Sequence, residues 1–216
     1  MKRLSGIAVF LFVMSAVHSQ TADFRPEWNF GVNGGVTLSR VGFSPKILQT
    51  LLLQQSGGLT ARYVSEKSCG IQLELNYALR GWTEQPNTNT KSYTRSLTYI
   101  ELPALAHFYY SLGKRARVIV NLGPQIGYNI GEKELEKEII KFPDKNYYNN
   151  YPVRNKFDWG LAGGMGFEVR TGIGSFVLEG RYYYGLSDIF GNRRVDIFQA
   201  SHNQVIAVKL GYLVGW

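Results

Sequence analysis

Cysteine is almost absent: Cys69 is the single thiol among 216 residues. One thiol forms no internal disulfide, so this is not an exported domain stapled by bridges, and something else must hold it together. Histidine is nearly as scarce, at three. Only His107 and His202 lie beyond the N-terminal leader, and two dispersed imidazoles do not make the convergent ligand set a metal needs. Neither a cofactor nor a metal is expected. No long apolar run occurs either. The longest, residues 7–13, falls well short of the ~20 residues of a spanning helix. The basic excess, 24 Lys and Arg against 16 Asp and Glu, has no clustered arm, which argues against a nucleic-acid partner.

The leader has an export pattern. Lys2 and Arg3 precede the apolar run, and Val17 and Ser19 occupy the −3 and −1 positions of a signal-peptidase site, with cleavage expected before Gln20. No cysteine follows that site, so a lipoprotein is not expected. The reading is a signal peptide at residues 1–19 and one domain at residues 20–216. Losing Lys2 and Arg3 lowers the formal charge from +8 to +6, a remainder that favours anionic lipid headgroups.

The mature chain alternates. Its last strand sets Leu210, Tyr212, Val214 and Trp216 on one face, with Lys209, Gly211 and Gly215 between them. Period two places alternate side chains on opposite faces of a strand. Eight such segments follow the rule: residues 29–39, 57–65, 69–80, 99–110, 117–130, 157–170, 175–188 and 203–216. The third is the clearest, with Ile71, Leu73, Leu75, Tyr77 and Leu79 against Gln72, Glu74, Asn76 and Arg80. Each reaches the ~9–11 residues of a tilted membrane-spanning strand. Their connections alternate long (40–56, 81–98, 131–156, 189–202) and short (66–68, 111–116, 171–174). Short turns on one rim and long loops on the other predict an eight-stranded antiparallel transmembrane β-barrel with its turns in the periplasm.

Aromatic residues on the apolar faces form two predicted belts. Phe108, Tyr110, Phe176, Tyr212 and Trp216, with Phe167, fall near the turn rim. Tyr128, Trp159 and Tyr184, with Phe157, fall near the loop rim. Amphipathic rings settle at the two interfaces of a bilayer. The opposite face carries Arg62, Glu74, Arg80, Glu101, Glu168, Arg170, Glu179, Arg181 and Lys209. Eight strands enclose room only for side chains or one small ligand, and enclosed charges must be paired. These nine are read as a structural ion-pair network filling the lumen, with Gly160, Ala162, Gly164 and Gly166 making room for long neighbours.

Candidate chemistry is thin. His107 is read as an interior histidine. His202 lies with Ser201, Asp188 and Asp196 around the last loop, where a barrel hydrolase would keep its groups, although the spacing fits no recognised motif. The Gly163-Gly164-Met165-Gly166 stretch sits mid-strand and is not a phosphate loop. Residues 132–141, with Leu135 and Ile139, suit a short amphipathic helix, and Tyr147, Tyr148 and Tyr151 suit a recognition surface. Residues 47–53 suit a second amphipathic piece.

Three stretches resemble one family. Tyr99-Ile100-Glu101-Leu102-Pro103, Asn121-Leu122-Gly123-Pro124-Gln125-Ile126-Gly127-Tyr128 and residues 179–186 are similar to the PorT family of small, porin-like outer-membrane barrels of Bacteroidota. The resemblance implies an outer-membrane protein of the cell envelope, with founding members linked to type IX secretion and no family catalytic residues to carry over. Three readings follow: a non-enzymatic structural or interaction barrel accessory to secretion or envelope assembly, a loop-mediated binder of an external ligand or surface, or a barrel hydrolase. Expected partners are outer-membrane lipid and lipopolysaccharide, the barrel-assembly machinery, and envelope or secretion proteins.

Overall fold

The computed structural model describes residues 25–44, 46, 48–84, 93–136, 153–190 and 199–215. The expected export signal at residues 1–19, Asp196, Tyr147, Tyr148, Tyr151, Ile139 and Trp216 lie outside them. The strands are β1 (Glu27–Ser44), β2 (Gln49–Thr50), β3 (Leu52–Glu66), β4 (Cys69–Glu84), β5 (Tyr93–Ser111), β6 (Ala116–Glu136), β7 (Phe157–Thr171), β8 (Gly174–Asp188) and β9 (Ala200–Gly215). Strand β2 continues β3 past Leu51, so eight staves make the wall. All pair antiparallel, β1 meets β9, and a β4–β5 ladder closes the ring. Closure satisfies the backbone without an edge, which is what a sheet crossing hydrocarbon requires.

Exposure alternates with the sequence, and its polarity is inverted relative to a water-soluble fold. On β4, Ile71, Leu73, Leu75 and Tyr77 are about half exposed while Gln72, Glu74, Asn76 and Arg80 are buried. Leu122, Leu161, Leu178 and Leu210 face outward in the same way. Greasy side chains therefore cover the outside and polar ones fill the cylinder.

At one rim the strands are joined by residues 67–68, 112–115 and 172–173. Here strand ends fall within two residues of the expected ones. At the other rim the strands run several residues further. Strand β4 reaches Glu84, β5 begins at Tyr93 and β6 reaches Glu136. Two expectations are corrected: residues 132–136 continue a strand and do not start a helix, and residues 49–53 are mostly β2 and β3. The reason is a swap of polarity along the same faces. Above Arg80 the inward positions become apolar, with Val41, Phe43, Trp82, Leu97 and Tyr99 joining Val153, Ile189 and Phe190 in a buried cluster.

Two prolines lie inside strands, where each removes a ladder donor. The ladders accommodate them. Pairing between β4 and β5 lapses from Leu73↔Ala104 to Asn76↔Glu101, and between β5 and β6 from Pro103↔Gln125 to Ala106↔Leu122. Gly123 is required beside this point, because a Cβ there would come within 2.1 Å of the Ala104 carbonyl oxygen.

Candidate functional site

The lumen holds two ionic clusters between apolar layers. Val64, Tyr109, Ile119, Val177 and Leu213 close the turn end. Leu105, Ala162, Tyr183 and Val205 pack further up, and the Trp82 cluster closes the loop end.

The first cluster centres on Glu74. Its Oε1 takes Arg181 Nη2 at 2.7 Å and its Oε2 takes Lys209 Nζ at 2.6 Å. Arg181 also donates through Nε to Glu179 at 2.8 Å. Arg62 pairs with Glu168 at 2.7 Å and donates to Gln72, which donates on to Glu74. Asn76 donates to Glu74, and Asn121 joins Glu179 to His107 Nδ1. Three cations thus meet three carboxylates, linked by neutral amides that supply the remaining hydrogen bonds.

The second cluster hangs on Arg80. Its guanidinium lies 2.6 Å from Glu101 and 3.0 Å from Asp158. Its carbon also sits over the Tyr183 ring at 4.3 Å and the Tyr99 ring at 5.2 Å, a cation–π arrangement strengthened by burial. Gln125 donates to Glu101, while Asn203 and Ser187 donate to Asp158. A cavity of about 30 Å³ separates the clusters, lined by Arg80, Glu101, Arg181 and Lys209 among others. That is room for about two water molecules.

Six of the nine charged residues expected in the lumen meet in the first cluster and two, Arg80 and Glu101, in the second. Arg170 joins neither. It shares their parity but sits at the turn rim, where it pairs half-exposed with Glu27 at 3.1 Å. Sequence reasoning did not assign Asp158, Gln72, Asn76, Asn121, Gln125 and Asn203 to the network. Their signal was the same odd–even register. The small residues of β7 act less through spare volume than expected. A Cβ at Gly160 or Gly166 would come within 2.1 Å of a β8 carbonyl oxygen, so these glycines permit close strand approach. Only at Gly164 would the added carbon meet a charged side chain, Glu179, at 2.6 Å.

Phe108, Tyr110, Tyr128, Trp159, Phe176 and Tyr184 all point outward and are exposed. Tyr212 is half-buried against Phe176, and its hydroxyl donates to the Ile173 carbonyl at 2.5 Å. Trp28 and Phe30 extend the belt at the turn rim, stacked with ring centroids 5.6 Å apart. Above the Trp82 ring, Arg95 pairs with Glu132. Beside them Tyr93 donates to Glu134, and burial pushes the Tyr93 hydroxyl up to about 12.

Among the described residues the candidate hydrolase groups do not assemble into a nucleophile–base pair. His202 Nδ1 lies 3.4 Å from Asp188 Oδ1. Ser201, its chain neighbour, is turned inward, where its hydroxyl accepts from the Phe190 N–H. Consecutive strand residues face opposite sides, so this serine cannot present its oxygen to that imidazole. Among the described residues no group of three His, Cys, Asp or Glu could hold a metal, and no helix is long and apolar enough to cross a membrane.

No curated protein matches the sequence. Among solved structures it is similar to Ail of Yersinia pestis, at 14% identity over 87% of this chain and 99% of that one, with a TM-score of 0.43. Neisserial surface protein A shares 12% identity over 85% and 96%, at 0.46. The N-terminal barrel of Pseudomonas aeruginosa OprF shares 11% over 87% and 97%, at 0.39. These values carry no functional argument. The family profile described as outer membrane protein beta-barrel domain matches residues 18–191, most of the chain, and this protein, a closed barrel with lipid-compatible walls, belongs to that outer-membrane family.

Proposed function

We propose that the protein is a sealed, non-enzymatic barrel of the outer membrane that works through its loop rim, with its turns in the periplasm. The observation that carries this reading is the filled lumen: two paired ionic clusters between three apolar layers. Paired charges in a narrow cylinder act as a plug and hold the staves in register, and a general diffusion porin would need about twice the strands. The purified protein in a planar bilayer is expected to show no conductance steps, and reproducible steps would refute the plug.

Because strands continue above the aromatic belt around their own apolar cluster, the described part of the loop rim is a packed platform. It suits an interaction partner better than a solute. The resemblance to the PorT family favours a role beside secretion or envelope assembly, after removal of residues 1–19 on export. In-cell crosslinking is expected to capture other envelope proteins, and a clean deletion that leaves protein export intact would remove the secretion role. The second reading, an external ligand or surface bound by the longest connection, is favoured by the tyrosine-rich composition of residues 147–151. Trimming residues 137–152 should then spare folding and abolish binding.

A further inference from the structure

Among the described residues the exposed cations of the turn rim lie on one side only. Arg25 enters β1, Lys67 lies in the β3–β4 turn, and Lys114 and Arg115 lie in the β5–β6 turn; all four are exposed. These elements are neighbours around the barrel. The β7–β8 turn on the far side (Thr171, Gly172, Ile173 and Gly174) carries no charge. Of the acids described at this rim, Glu27 is held by Arg170 and only Glu66 remains beside the cations. Arg117, just inside, sits over the Tyr109 ring at 4.1 Å.

Apolar groups accompany the cations. Tyr110 is 72% exposed and Leu112 is 57% exposed on the hairpin that carries Lys114 and Arg115. Both lie at or beyond the lower aromatic belt, too far along the strand to be ordinary wall residues. A hairpin tip with apolar side chains toward hydrocarbon and cationic heads just beyond matches the boundary between acyl chains and headgroups.

We propose that this basic half-rim binds the anionic phosphate headgroups of the inner leaflet, so that the barrel collects acidic phospholipid on its β1–β6 side. The proposal rests on the reading that the turn rim faces the periplasm. Each exposed cation at a headgroup contributes attraction that salt screens over about a Debye length. The uncharged β7–β8 side makes the collected shell lopsided.

The test uses the mature chain with Trp159→Phe and Trp216→Phe, which leaves Trp28 as the lipid-facing tryptophan because Trp82 is buried. It is folded into phosphatidylcholine vesicles containing equal small fractions of brominated phosphatidylglycerol or brominated phosphatidylcholine. The brominated anionic lipid should quench Trp28 with a relative binding constant at least about threefold higher. That preference should vanish in molar salt and in the Arg25→Gln, Lys67→Gln, Lys114→Gln, Arg115→Gln variant. Equal quenching by both lipids, or a preference that survives the fourfold substitution, overturns the proposal. Absence of quenching by either lipid would instead refute the membrane placement of this rim and the proposal with it.

Discussion

The two ionic clusters differ in how much redundancy they contain. Around Glu74 three cations meet three carboxylates, and Glu74 and Arg181 each pair with two opposite charges. Around Arg80 a single guanidinium serves both Glu101 and Asp158. Loss of Lys209 should therefore be absorbed in the first cluster, where Glu74 keeps Arg181, and loss of Arg80 felt in full in the second. The barrel buries both to a similar degree, so the difference isolates connectivity from desolvation.

The sharpest break is Arg80→Met. It leaves two buried carboxylates without a cation, and removing one partner of a buried pair costs about 3–5 kcal/mol. Urea titration of the barrel in vesicles should show it, and a loss below about 1 kcal/mol would contradict a single-cation cluster. Adding Glu101→Leu and Asp158→Leu to that variant should recover most of the loss, because buried pairs replaced as a set by apolar groups are often neutral. Next in size is a change on the outer wall. Leu75→Arg, near mid-membrane, should cost about 2–4 kcal/mol, while Leu79→Arg, nearer the loop-rim interface, should cost about 1 kcal/mol or less. Equal costs at both depths would contradict the placement of the hydrocarbon band. Lys209→Met comes third, at about 1.5–3 kcal/mol, because Glu74 keeps Arg181. If it matches Arg80→Met, redundancy counts for nothing here. The smallest effect belongs to Arg170→Gln at the rim, where a half-exposed pair contributes about 0–1 kcal/mol.

Much of this was legible from the chain. Period-two alternation located every stave, and its parity assigned Leu73 and Leu122 outward and Glu74, Arg181 and Lys209 inward. Short turns were legible because charge, glycine and serine interrupt the alternation abruptly at Lys67, Gly113 and Gly172. The upper strand ends were not. Parity continues unbroken from Arg80 to Trp82, but the solvent outside changes from lipid to water, so the apolar members move to the inside. A reader tracking greasy residues on the outer face sees the pattern stop at Leu79 and assigns a loop. Arg170 was misplaced for a related reason: parity gives the face of a residue but not its height in the cylinder. The amides joining the charges, such as Gln72 and Asn121, gave no signal of their own, since a neutral polar residue facing inward fits any wet interior. His202 and Ser201 show the converse case, residue types suited to catalysis that the pleat of one strand sends to opposite faces.

The account depends on which side of the wall meets lipid. Nitroxide labels at Leu73→Cys and Leu122→Cys, in a Cys69→Ser background, test this directly by electron paramagnetic resonance of the protein in bilayers. Both labels should be relaxed strongly by oxygen, which concentrates in hydrocarbon, and hardly at all by a water-soluble nickel chelate. Relaxation by the chelate at both sites, with no response to oxygen, would place these leucines in water and contradict a barrel with its apolar face toward lipid.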